Sequence, residues 1–101
     1  MGIDVELQDE AGSTLARVVD PGSVLKQALP DVDDASFACL RFIDPHGDAV
    51  FNWLQVKVLI DELQRVRPTV SAEAQAFLDD VARLAYQASA EPHVYLKFIG
   101  D

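Results

Sequence analysis

Three side chains that could move protons or bind a metal ion lie close together near the middle of the chain. Asp44, His46 and Asp48 alternate along the sequence. A histidine with two neighbouring carboxylates can act as a general base, or it can ligate a metal ion with their help. The same stretch also fits a type I turn, with Asp44 first, Pro45 second and Gly47 fourth. The pattern leaves open a metal-dependent or acid–base enzyme that uses this turn, and a turn that exposes its histidine at the tip.

Other features of the sequence argue against catalysis. It contains no glycine-rich phosphate loop, no nucleophile elbow and no HExxH motif. Its single cysteine, Cys39, excludes an internal disulfide and a multi-cysteine zinc site, and the apolar neighbours of Cys39 predict a buried thiol. We therefore expect no catalytic activity, no cofactor and no bound metal ion.

The charge of the chain indicates which partners it can bind. Seventeen acidic and eight basic residues give a net charge of −9. This charge repels nucleic acid, and it suits either a basic protein partner or simply solubility. No apolar run approaches the ~20 residues that cross a bilayer. The first residues lack a basic segment followed by an apolar one, so we expect a cytoplasmic protein without a membrane partner.

The elements that position these residues follow from hydrophobic periodicity. Strands are predicted at residues 3–8, 14–19, 37–43, 49–51 and 93–99. Helices are predicted at residues 53–66 and from residues 69–71 onward. These elements predict one α+β domain over residues 1–101. In it, a mainly antiparallel sheet of four or five strands carries two main helices on one face. The strand at 37–43 would form a hairpin with 49–51 around the turn at 44–47. The uncovered face would carry Asp4, Glu6, Arg17, Arg41 and Lys97.

The first main helix has a clear start and one apolar stripe. Asn52 is a good N-cap with Gln55 three residues later, and Pro68 ends the helix. Val56 and Leu59 begin the apolar stripe, whereas Asp61, Glu62, Gln64 and Arg65 fall off it.

Two segments of the sequence resemble a family of small uncharacterised bacterial proteins. They are LRFIDPHGDAVFN at residues 40–52 and VYLKFIGD at residues 94–101. The resemblance implies no particular activity. In size, acidity and α+β pattern the chain is also similar to the immunity proteins of bacterial toxin systems.

These observations together predict a small acidic protein-binding module, immunity-like in character. A self-associating structural subunit is an alternative to it, as is the enzyme described above. The predicted partner-binding residues combine the acidic loop at 31–34, the polar residues around the 44–47 turn, and an aromatic residue outside the main apolar stripe: Asp31, Asp33, Asp34, Arg41, His46, Asp48 and Trp53.

Overall fold

Four antiparallel strands form the sheet in the computed structural model, which describes residues 2–100. The strands are β1 (Asp4–Asp9), β2 (Thr14–Val18), β3 (Asp48–Phe51) and β4 (Val94–Ile99), in the order β2-β1-β4-β3. Two helices, α1 (Trp53–Val66) and α2 (Ala72–Ser89), cover one face of this sheet. The predicted α+β class and its two-layer arrangement are confirmed. Positions 1 and 101, the two ends of the predicted domain, lie outside the described residues. Position 101 is also the last residue of the segment 94–101 that resembles the bacterial family.

The period-two pattern of the strands decides which side chains face the helices. Val5 lies opposite Phe98 on β4 and Val18 on β2, and both Val5 and Phe98 are fully buried. The next residue, Glu6, lies opposite Arg17 and Lys97 on the uncovered face. Because successive side chains of a strand point to opposite faces, one sequence pattern produces both the core and the polar face.

Local hydrogen bonds set the start of each main helix. The Asn52 side chain accepts from the N–H groups of Leu54 and Gln55, while the Gln55 side chain accepts from the Asn52 N–H. This reciprocal capping box satisfies donors that the first helical turn cannot pair internally. Ser71 caps α2 through the N–H of Ala74. The predicted bounds of α1 are confirmed, and α2 begins at Ala72, directly after the predicted start at residues 69–71.

A buried carboxylate shapes the connection between β2 and the middle of the chain. Asp20 accepts from the N–H groups of Val24 and Leu25 at 2.8 and 3.1 Å, and from that of Ile3 at 3.5 Å. The first two bonds hold the start of a short 3₁₀ helix at Val24–Ala28. Asp20 therefore ties this helix to the residue that precedes β1.

The predicted strand at residues 37–43 is wrong. This stretch is irregular and contains a short 3₁₀ helix at Leu40–Phe42. The N–H groups of Ala38, Cys39 and Leu40 all donate to the carboxylate of Glu62 on α1, with N–O distances of 3.1 and 2.8 Å for the last two. Three consecutive N–H groups can converge on one carboxylate only in a turn-like conformation, since they alternate in direction along a strand.

Two further predictions change with that segment. β3 pairs with β4 rather than with residues 37–43, so the hairpin expected around the 44–47 turn does not form. Glu62, predicted to lie on the wet side of α1, is only 4% exposed. On the uncovered sheet face, the placement of Asp4, Glu6, Arg17 and Lys97 is confirmed, while that of Arg41 is wrong because its segment leaves the sheet.

Candidate functional site

An open cleft of about 520 Å³ lies between two irregular segments of the chain. One segment follows the short helix Val24–Ala28, and the other runs from the 3₁₀ helix Leu40–Phe42 into the 44–47 turn. This volume is in the range of pockets that hold one small ligand or one long side chain with its main chain. The cleft is lined by Leu29, Pro30, Asp31, Val32, Arg41, Phe42, Ile43, Asp44 and Pro45.

Two large apolar side chains of the cleft are exposed to solvent. Val32 is 61% exposed and Phe42 is 52% exposed. Scattered apolar side chains on a surface need no explanation, but a cluster at the mouth of a concave site is typical of interaction surfaces. Val32 and Phe42 therefore make the cleft a candidate contact surface as well as a cavity.

Arg41 lies in the cleft with little hydrogen bonding of its own. Its guanidinium carbon lies 4.5 Å from the centroid of the Phe42 ring, and its Nη1 donates to the Val32 carbonyl at a long 3.5 Å. Its Nε is buried and has no hydrogen-bond partner among residues 2–100. A guanidinium has five N–H donors. With Nε buried and one Nη1 N–H bonded to Val32, the other Nη donors are available to an acceptor that enters the cleft.

The carboxylates of the cleft and its neighbouring loop are largely unneutralised. Within residues 2–100, no salt bridge reaches Asp31, Asp33 or Asp44, although four other basic side chains are paired elsewhere. The acidic and cationic groups that line the cleft thus leave it with a net negative charge. A site of this sign attracts a cationic group of a ligand or partner.

The acidic loop at residues 31–34 has its own internal order. The Asp34 N–H donates to the Asp31 carbonyl at 2.9 Å, and the Asp34 carboxylate accepts from the hydroxyl and the N–H of Ser36. These bonds lower the pKa of Asp34, with the hydroxyl contributing most. Arg65 of α1 donates to the Ser36 carbonyl at 2.8 Å and stacks over the Phe37 ring. Asp34 therefore shapes the loop, while Asp31 and Asp33 remain exposed on it.

The turn that joins the cleft to β3 forms as predicted. The Gly47 N–H donates to the Asp44 carbonyl at 3.3 Å, and the Asp44 carboxylate accepts from the His46 N–H at 2.8 Å. His46 is exposed at the turn. Behind the turn, the Gly100 N–H donates to the Gly47 carbonyl at 2.8 Å. A Cβ at Gly100 would overlap the main chain of Asp44 and Gly47.

The side chains of Asp44, His46 and Asp48 do not come together in one site. The Asp44 carboxylate folds over its own turn, and Asp48 lies 3.7 Å from the Lys97 ammonium across the β3–β4 pair. Among residues 2–100, no group of three or more histidine, cysteine or acidic side chains is placed to hold a metal ion.

The remaining predicted contact residue, Trp53, lies on the first turn of α1 and is half-buried. The Lys57 ammonium lies over its ring, 4.4 Å from the centroid. Trp53 does not line the cleft, so of the predicted partner-binding residues only Asp31 and Arg41 meet there.

Sequence reasoning missed three residues that build this region. Val32 and Phe42 form the exposed apolar part of the cleft, and Glu62 anchors the segment that carries Phe42. Phe42 was not predicted to be exposed, because the apolar run that contains it was interpreted as an interior strand. A signal for Glu62 was present, because it lies three residues after Leu59 and four before Val66 on α1. Those two residues are buried, so an acid at this spacing faces inward.

Fold and site together define a small acidic α+β domain with an uncovered sheet face and one acidic, partly apolar cleft. Comparison of the chain with protein families, with curated proteins and with solved structures gives no match. None of the helices within the described part of the chain is long and apolar enough to cross a membrane.

Proposed function

We propose that the chain is a protein-binding module that uses the cleft and its rim to hold a basic partner. The observation that supports this most directly is the pairing of exposed Val32 and Phe42 with unneutralised carboxylates at one concave site. Apolar and aromatic side chains supply most of the affinity of an interface, while complementary charge speeds encounter and selects the partner.

The proposal includes the location and the immunity-like role that were predicted from the sequence. The setting is the cytoplasm of a bacterial cell, and a basic toxin is the partner class that corresponds to the immunity-like role. Occlusion of such a partner needs no chemistry from this chain.

The test is affinity capture from an extract of the source organism, with paired variants. The Val32→Ser/Phe42→Ser double variant removes the two exposed apolar side chains of the cleft. The Val19→Ser/Tyr86→Ser double variant is the matched control, because Val19 and Tyr86 are 61% and 55% exposed and lie outside the cleft. We expect the wild type and the control to retain one basic protein in stoichiometric amount, and the cleft variant to lose it.

The captured protein is then purified and titrated. Affinity should fall about 30-fold in the cleft variant, the effect of losing about 2 kcal/mol at an interface hot spot. It should also fall as salt rises, because the attraction between exposed charges is screened. Equal retention by both double variants, an acidic partner or no partner would refute the proposal. If the partner is a toxin, co-expression of the wild type, but not of the cleft variant, should restore growth.

A further inference from the structure

Within the proposed function, we infer that the cleft takes a lysine or arginine side chain of the partner together with the adjoining main-chain carbonyl. The inference rests on the proposed function and adds the chemical identity of the bound group. Three properties of the cleft carry it: its apolar walls, its carboxylates, and the poorly bonded guanidinium of Arg41.

The walls suit the long apolar stem of a basic side chain. Leu29, Pro30, Val32 and Pro45 present aliphatic surface in the cleft. Lysine and arginine side chains bury their methylene groups along such surfaces while their charged ends remain among polar groups. A short or purely polar ligand would leave these walls exposed to water.

The carboxylates provide the end point for the cation. Asp31 and Asp44 both line the cleft, and neither takes part in a salt bridge within the described residues. One Asp44 oxygen accepts the His46 N–H, which fixes the carboxylate while leaving acceptor capacity on it. A cation in the cleft is therefore attracted by Asp31 and by the fixed charge of Asp44 on the adjoining turn.

Arg41 requires an acceptor, and the carboxylates decide what kind. Because the guanidinium is held only by a 3.5 Å bond to the Val32 carbonyl and by the Phe42 ring, turning it toward a ligand breaks little. A free anion would be repelled by Asp31 and Asp44. A neutral acceptor on the same chain as the cation avoids that repulsion, and the main-chain carbonyl of a peptide is such an acceptor.

The probes are three pentapeptides, N-acetylated and C-amidated, with lysine, norleucine or glutamate at the centre of an alanine sequence. Binding is followed by ¹⁵N–¹H correlation spectra of the full chain at low ionic strength. We expect the lysine peptide to shift the amides of residues 30–32 and 41–45 and the Arg41 Nε–H. The norleucine peptide keeps the stem and loses the charge, so it should bind about fivefold more weakly. The glutamate peptide should not bind.

Variants separate the two contacts. Asp31→Asn/Asp44→Asn should reduce lysine-peptide affinity to that of the norleucine peptide, whereas the control Asp61→Asn, on the exposed side of α1, should change nothing. Asparagine at 44 keeps the side-chain oxygen that accepts the His46 N–H. Arg41→Gln should weaken the norleucine peptide through loss of the contact with the main-chain carbonyl. It should weaken the lysine peptide by a smaller factor, because it also removes a positive charge that repels the lysine ammonium.

The inference is overturned if lysine and norleucine peptides bind equally, if the shifts fall outside the cleft, if none of the peptides binds, or if Asp31→Asn/Asp44→Asn has no effect. Its failure is distinguishable from failure of the proposed function. If Val32→Ser/Phe42→Ser abolishes capture of a basic partner while the lysine peptide does not bind, the cleft is an interface and this occupant is wrong. If the peptide binds as expected and no partner is captured, the occupant of the cleft is right and the proposed partner-binding function is wrong.

Discussion

Glu62 does not line the cleft, but its replacement should change the conformation of the cleft more than any other substitution outside it. Its carboxylate accepts from three consecutive N–H groups, of which those of Cys39 and Leu40 belong to buried residues. Hydrogen bonds to a charged group contribute roughly 1.5–3 kcal/mol each, and buried donors left unpaired add their own cost. Because such effects are not additive, Glu62→Ala should lower the free energy of unfolding by about 3–5 kcal/mol.

Glu62→Gln is the more informative substitution. The amide oxygen can still accept from part of the segment, but the NH₂ group opposes at least one of the N–H donors. Replacing the acid also removes the cost of burying a charge. We therefore expect a loss of about 2 kcal/mol, which corresponds to about 10 °C in Tm for a domain of this size. Asp61→Asn is the control, since Asp61 is the exposed neighbour on the same helix.

Urea unfolding followed by circular dichroism measures the free energy, and amide hydrogen exchange locates the change. Exchange should accelerate at residues 38–40 more than in the middle of α1, since the segment opens locally. The Cys39 thiol gives an independent readout. Burial raises its pKa, and the charge of Glu62 raises it further. Thiol labelling should therefore be slow in the wild type and faster in Glu62→Gln. Unchanged stability together with unchanged exchange at 38–40 would refute the anchoring role of Glu62.

Three further predictions concern the sheet, the turn and the first helix. Bonds from the side chains of Gln8 and Thr14 lower the pKa of Glu6 below its ordinary 4.5. Its carboxylate therefore stabilises the fold above about pH 4.5, and this contribution is lost as the pH falls through the lowered pKa. Urea titrations should show the stability gap between wild type and Glu6→Gln shrinking from pH 7 to about pH 3, and a constant gap would contradict this. Gly100→Ala forces the turn behind the cleft to move, so amide shifts at residues 44–47 should change and Tm should fall; an unchanged spectrum there would refute the close approach. Asn52→Ala removes the capping box and should cost about 1 kcal/mol in urea unfolding, and a loss below about 0.3 kcal/mol would show that the cap contributes little.

The parts of the fold that the sequence predicted are those marked by a local cap or by a repeating pattern of apolar residues. α1 begins at an asparagine that caps it, and its apolar stripe needs only the 3.6-residue period to be recognised. β4 alternates between buried and half-buried residues along its whole length, and β1 sets Val5 and Leu7 between polar residues, so their faces follow from the period of two. In these elements the residues that satisfy the backbone are near in sequence, or belong to a neighbouring strand with the same pattern.

The segment at 37–43 was mispredicted because a side chain, rather than a neighbouring strand, pairs with its backbone. An apolar run predicts burial, but it does not say which groups pair with the backbone. Here a carboxylate more than twenty residues later takes three N–H groups, which removes them from any strand ladder. The cleft was missed for the same reason, since Phe42 lies on the segment that was predicted to be a strand and leaves the sheet instead.

The wall of the cleft that carries Arg41, Phe42 and Asp44 is therefore held by contacts that lie outside the cleft. Glu62 of α1 fixes the segment that leads into Arg41 and Phe42, and Gly100, just after β4, supports the turn that carries Asp44. Arg41 itself is the exception, with one long hydrogen bond and a ring contact. A firmly held wall around a poorly bonded cation lets a ligand gain hydrogen bonds to Arg41 without the entropy cost of ordering that wall. Loosening that wall with Glu62→Gln should therefore weaken binding in the cleft, although Glu62 does not line it.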